Sequence, residues 1–217
     1  MSGLIGIIAN DAARFSLFTS CTINLNKPPD TKIECLIGGD WCGARNSLVK
    51  QAIEQEYDWL WFMDDDHAFA PNLLERLLAH DVPLVMPLCL QRVFPFAPVA
   101  YTSHDGVKYH PINPGDHDET LVPIVAGGCA GMLIRREVLL AVEEPWFEYA
   151  DRSEDIIFCE KAREAGFSLY CDTEARLGHI TTAVVWPAEH DDEWVTGFTI
   201  GHELNLFAPF ALEGAEA

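Results

Sequence analysis

Residues 59–69 read WLWFMDDDHAF, five large apolar side chains followed at once by three aspartates. Side chains alternate along an extended chain, so Asp64 and Asp66 fall on one side and can share one hard, oxygen-seeking cation while Asp65 points elsewhere. Without a cation, three adjoining carboxylates raise one another's pKa and oppose folding. An acidic run taken alone is more often a solvated turn, here one able to cap a helix opening at Pro71. Its place at the end of a buried strand shifts the balance, because the ligand crevice of an α/β sheet lies at the carboxyl ends of its strands.

The elements that would position this site alternate along the first half of the chain. Apolar runs at 3–9, 31–37, 58–63 and 82–90 read as strands. Between them, residues 43–56 carry Leu48, Val49, Ala52 and Ile53 at helical spacing, fed by a loop from Asp40 to Gly43, and a second helix opens at Pro71. This order predicts a mostly parallel sheet with helices on both faces. From Phe94 to Val122 the pattern loosens into a long surface excursion rich in proline, glycine, histidine and aspartate, the kind of segment that borders a site. Residues 122–142 then give a strand, a glycine turn, a strand and a helix. SEDIIFCEKAREAGF (153–167) is a further helix with Ser153 at its N-cap, and SLYCD and LGHI follow as short strands.

Composition narrows the function classes. Hydrophobic residues make up 49% and charged residues 22%, a balance that buries a core, and 217 residues suit one domain. The longest uncharged stretch, Leu121 to Ile134, is broken by Pro123 and glycines and is too short to span a bilayer. MSGLIGIIAND lacks the pattern of a secretory signal, so a soluble, cytoplasmic protein with no membrane partner is expected. Seven cysteines without a C-x-x-C pair read as reduced, mostly buried thiols. With 14 basic and 34 acidic residues, net −20, the chain lacks the field that draws nucleic acid, and an anionic substrate would need a bound cation.

ARNSLVKQAIEQEYDWLWFMDDD resembles the donor half of GT-A fold glycosyltransferases, family 2-like, in which a helix starting Arg-Asn precedes a strand ending in D-x-D. AGGCAGMLIRREVL is similar to the family's glycine-rich acceptor-side strand and turn, SEDIIFCEKAREAGF to its E-D helix, and LGHI to its late histidine. Four elements in order, over residues 3–182, carry the resemblance. It implies a Rossmann-like, three-layer α/β/α GT-A fold with a mostly parallel central sheet. The chain would form a single domain, with residues 1–92 binding the nucleotide sugar, 93–182 serving acceptor and catalysis, and 183–217 forming a flexible closing segment and tail.

The resemblance also assigns roles. Asp64, Asp66 and His179 would hold a divalent metal, Mn2+ or Mg2+, and Asp65 and Arg45 would contact the nucleotide-diphosphate sugar donor. Asn10 and Asp11 stand where the family meets the nucleotide base, although IIAND departs from the usual P-x-Y-N. Gly127 and Gly128 would let the backbone approach the donor sugar. Trp186 and His190 fall in the closing segment. Glu154 and Asp155 form the E-D pair, with Asp155 as general base in an inverting transfer; local sequence alone reads Asp155 equally well as a first-turn acid favoured by the helix dipole. A retaining transferase is the alternative. A nucleotidyltransferase fits less well, for want of a glycine-rich loop after GLIGIIA, as does a phosphohydrolase, for want of a nucleophile at the first strand. A non-enzymatic carbohydrate-binding module explains the charge but not the ordered motifs. Short chains of this kind occur in phage genomes, which would place the protein in the host cytoplasm. The acidic balance favours a protein or saccharide acceptor over modified DNA.

Overall fold

A computed structural model of the chain describes residues 1–9, 15–92, 96–190, 193–200 and 204–209. In chain order the elements are β1 (Gly3–Ala9), α1 (Ser16–Ile23), β2 (Thr31–Ile37), α2 (Trp41–Glu54), β3 (Trp59–Asp64), β4 (His67–Phe69), α3 (Leu73–Ala79), β5 (Leu84–Cys89), β6 (Ala100–His104) and β7 (Tyr109–Pro111). They continue with β8 (Leu121–Ile124), β9 (Ala126–Gly127), β10 (Leu133–Arg135), α4 (Arg136–Ala141), α5 (Glu154–Glu164), β11 (Leu169–His179), β12 (Ala183–His190), β13 (Glu193–Ile200) and β14 (Leu204–Pro209).

The central sheet runs β2-β1-β3-β10-β5-β11-β4, with β8 also paired to β11. Strands β1, β2, β3, β5 and β11 point one way, and β10, β4 and β8 run against them. Alternation along each central strand feeds two cores. Leu4, Ile8, Leu60 and Phe62 pack with Leu48 and Val49 of α2, Val138 of α4 and Phe158 of α5. Ile5, Ile7, Trp59, Trp61 and Met63 pack on the other face with Phe18 of α1 and Leu74 and Leu77 of α3. The result is the expected three-layer α/β/α sandwich. Each fully buried large side chain contributes about 1.5–3 kcal/mol, so the run WLWFM, at most 1% exposed, anchors the middle of the sheet. Among the described residues no helix is long and apolar enough to cross a membrane.

Several boundaries differ from the sequence reading. α2 begins at Trp41, because Asp40 accepts a capping hydrogen bond from the Gly43 N–H at 2.7 Å and so converts the expected loop into the first turn. α3 begins at Leu73 rather than Pro71. The excursion contains the β6–β7 hairpin, which pairs through β6 to β9. The residues expected to form a closing segment and tail include β12, β13 and β14, an antiparallel three-stranded sheet.

SLYCD and LGHI are two ends of one strand, β11, whose register shifts between Asp172 and Arg176. The fully buried Asp172 explains the irregularity. It accepts hydrogen bonds from Arg76 Nε at 2.5 Å and Nη2 at 2.9 Å, pairs with His80 Nε2 at 2.7 Å, and takes the N–H groups of Glu174 and Ala175. Asp172→Ala should therefore cost about 3 kcal/mol, at the low end for a broken buried ion pair because Arg76 retains access to water. The midpoint of urea unfolding measures it, and an unchanged midpoint would contradict this account of the bulge.

Candidate functional site

Asp64 is the last residue of β3 and continues the face carrying Leu60 and Phe62, so its carboxylate emerges toward α2 and α5. There it meets Arg45 of α2 and the first turn of α5, Glu154 and Asp155. Trp41, Asp65, Asp66, Arg92 and His179 complete one cavity with these four, at the carboxyl ends of β3 and β5. Five carboxylates and two arginines line it, an excess of negative charge that a cation would balance.

Arg45 is 3% exposed, and its guanidinium is shared among three carboxylates: Asp64 Oδ1 at 3.8 Å, Glu154 Oε1 at 3.6 Å and Asp155 Oδ1 at 3.5 Å. It lies 5.4 Å from the Phe62 ring centroid and 5.8 Å from that of Phe147. Burial works against its charge, but Asp155 and Asp64 more than offset this and raise its pKa. The neighbouring Asn46 holds Phe147 in place, donating from Nδ2 to the Phe147 carbonyl at 2.7 Å and accepting the Phe147 N–H at 2.9 Å. The Arg-Asn pair thus joins the D-x-D strand to the E-D helix. Arg45, expected to contact the donor, lines the cavity and serves there as a buried counter-ion to these carboxylates.

Beyond β3 the chain is not extended. Asp65 and Asp66 form a turn before β4, so all three aspartates reach the cavity instead of alternating. Asp66 Oδ2 is 2.8 Å from Arg92 Nη1 and 3.2 Å from His179 Nε2, and Oδ1 is 3.1 Å from His67 Nδ1. Burial would raise the pKa of Asp66, yet hydrogen bonds from His179 and His67 outweigh it and hold the group well below the usual carboxylate range. Burial raises the pKa of Asp64, with Arg45 only partly opposing. Glu154 is likewise raised by burial, then by the charge of Asp155. The hydrogen bond to Asp66 raises the pKa of His179. Asp64 Oδ1 and Asp155 Oδ1 are buried and without a hydrogen-bond partner, as are Nε and Nη1 of Arg45. Such groups are costly to retain unless a ligand completes them.

The remaining site expectations fare unevenly. Asn10 and Asp11 lie outside the described residues. Gly127 is buried in β9, where a Cβ would overlap the Met86 sulfur, so packing accounts for this glycine. Gly128 borders the site, since a Cβ there would sit 3.8 Å from Asp155 Oδ2. Neither glycine lines the cavity. Trp186 is half exposed on β12, its Nε1 donating to Thr199 Oγ1 at 3.1 Å, and it too is not part of the lining. The backbone of His190 ends β12. Ser153 occupies the N-cap position of α5, but its side chain makes no capping hydrogen bond. Sequence reading missed Trp41, His67, Cys89 and Arg92. An exposed tryptophan at a helix start was the one local signal among them, for the other three converge only through strand pairing.

No protein-family profile and no curated protein matches the chain. Solved structures do. The crystal structure of A197 from STIV matches over 88% of this chain and 100% of its own, with TM-score 0.58 and 16% identity. The crystal structure of GalNAc-T7 with UDP, GalNAc and Mn2+ matches over 82% of this chain and 43% of its own, with TM-score 0.59 and 14% identity. Likeness at such identity is a likeness of fold, and the fold is a GT-A-like, Rossmann-like α/β arrangement.

Proposed function

We propose that the chain is a metal-dependent glycosyltransferase, moving a sugar from a nucleotide-diphosphate sugar to an acceptor hydroxyl with inversion. The observation that carries this reading is the pair of residues Asp64 and Asp155, which line one cavity, share Arg45 as counter-ion and each bury an Oδ1 that has no hydrogen-bond partner. The ligand types suit a hard divalent cation such as Mn2+ or Mg2+: Asp66 Oδ2 and His179 Nε2 stand 3.2 Å apart, and Asp64, now paired with Arg45, would close in to add its carboxylate. The Nδ1 of His179 lies 3.1 Å from the Leu90 carbonyl, so with the proton on Nδ1 the Nε2 that now pairs with Asp66 would be free to ligate the cation. When bound, the metal would supply positive charge to the departing diphosphate.

The side chains divide the remaining work. Asp155 accepts the acceptor's proton, and Arg45 fixes it relative to Asp64 from below, with Glu154 sharing that charge. Arg92, more than half exposed and reaching Asp66 from the cavity rim, is placed to turn to the donor diphosphate. Trp41, 41% exposed at the start of α2, offers a flat face to a base or sugar ring. The net charge of −20 favours a protein or saccharide acceptor over modified DNA. Free thiols and a soluble donor suit the cytoplasm, that of the host if the chain is phage-encoded. The likeness to GalNAc-T7 with UDP, GalNAc and Mn2+ supports the donor class.

Calorimetric titration with a panel of nucleotide sugars, with and without Mn2+, tests this. One donor should bind in the presence of the cation and lose most of its affinity without it. Arg92→Ala should weaken that binding about tenfold, the loss of roughly 1.4 kcal/mol from one charge-assisted contact, with little change in transfer at saturating donor. Donor affinity indifferent to Arg92 would remove it from the diphosphate site.

A further inference from the structure

Three adjacent strands bring a second set of ligand groups together behind the aspartates. His67 of β4 is the cross-strand partner of His179 of β11, and their rings stack with centroids 4.5 Å apart. On the other side of β11, Leu177 pairs with Cys89 of β5. Phe69, Cys89 and Leu177 all belong to the core beneath α1 and α3, and alternation by two continues that face to His67 and His179 at the strand ends, where His179 also borders the cavity of Asp64. One ring nitrogen from each histidine and the Cys89 sulfur all lie within 4.8 Å of one another. Both histidines are oriented by main-chain or carboxylate acceptors: His67 Nδ1 faces Asp66 Oδ1, and His179 Nδ1 faces the Leu90 carbonyl.

We propose that His67, His179 and Cys89 form a site for a thiophilic divalent cation of the zinc class, separate in ligand chemistry from the carboxylate-rich site of Asp64. Two imidazoles and a thiolate are soft and borderline donors that select such ions over Mg2+ or Mn2+. Metal–ligand bonds of about 2.0–2.3 Å put tetrahedral ligand atoms about 3.3–3.8 Å apart, so the set closes with side-chain shifts of about an ångström. Asp66, in contact with both rings, is the adjacent carboxylate for the fourth position. Cys89, 2% exposed, releases its proton to solvent as the ion enters. Asp66 and His179 belong to both sets, so the chain holds either cation through them but not both at once. The proposal rests on strand register and not on glycosyl transfer.

Titration of the metal-free, full-length protein with Co2+, in the absence of any nucleotide sugar, reads the site directly. A single equivalent should produce the strong visible bands of four-coordinate cobalt together with a thiolate-to-cobalt charge-transfer band. Cys89→Ser should abolish the charge-transfer band, His67→Gln should weaken binding at least tenfold, and Cys35→Ser, on an edge strand, should leave both unchanged. X-ray absorption of the zinc-loaded wild type requires no variant and should show one sulfur at about 2.3 Å with nitrogen or oxygen at about 2.0 Å. A first shell without sulfur, one with several sulfurs, or a charge-transfer band that survives in folded Cys89→Ser would overturn the proposal.

Discussion

Asp155→Asn lowers sugar transfer by about a hundred- to ten-thousandfold, the usual contribution of a general base, while donor affinity stays near that of the wild type. The substitution keeps the side chain's shape and removes its basicity. Asp155 Oδ1 is buried without a hydrogen-bond partner, and its nearest cation, Arg45 Nε at 3.5 Å, is shared with Glu154 and Asp64. A purely structural first-turn role predicts the reverse, lowered stability with ordinary turnover in the folded fraction. The melting temperature, the donor dissociation constant and the transfer rate separate the two. Product stereochemistry by NMR is an independent check: retention of the donor's configuration would remove the inverting mechanism and leave the metal set intact.

Where side-chain periodicity determines an element, the sequence was a sufficient guide. Residues 3–9 and 31–37 are strands with the boundaries read from their apolar runs. The D-x-D strand, the Arg-Asn helix and the E-D helix likewise meet around one cavity. What escaped reading depends on long-range pairing. The polar stretch TEAR divides β11 in a reading by pattern, because nothing local announces that Asp172 is held by Arg76 and His80 from outside the strand. Arg45 carries the expected motif yet faces inward, since its partners come from β3 and α5 and its cover from Phe147. His67 and Cys89 acquire meaning only when β4 and β5 flank β11. The turn at Asp65 and Asp66 was hidden because three like residues carry no register.

Asp64→Asn should reduce cation-dependent turnover by at least about a hundredfold, the scale of losing a principal electrostatic stabiliser of a leaving group. Stability should move the other way, or not at all. Burial raises the carboxyl of Asp64 above its ordinary pKa, so the folded protein holds this proton more tightly than the unfolded chain. The charged form therefore opposes folding at neutral pH, and the metal-free protein gains stability as pH falls through that raised value. A neutral asparagine captures this gain at every pH, so the melting temperature of metal-free Asp64→Asn should equal or exceed that of the wild type. Loss of turnover together with a large fall in melting temperature would mean that Asp64 is kept for its pairing with Arg45 rather than for a cation.

The most direct test is release of nucleoside diphosphate from a panel of nucleotide sugars by the purified protein, followed with Mn2+ present and with EDTA in excess. Slow hydrolysis of a bound donor needs no knowledge of the acceptor. The expected result is release from one donor that depends on Mn2+, stops in EDTA and is lost in Asp64→Asn. Release undiminished by EDTA, or no release from any donor under conditions where the protein is folded and cation-loaded, would contradict the assignment of a metal-dependent sugar transferase.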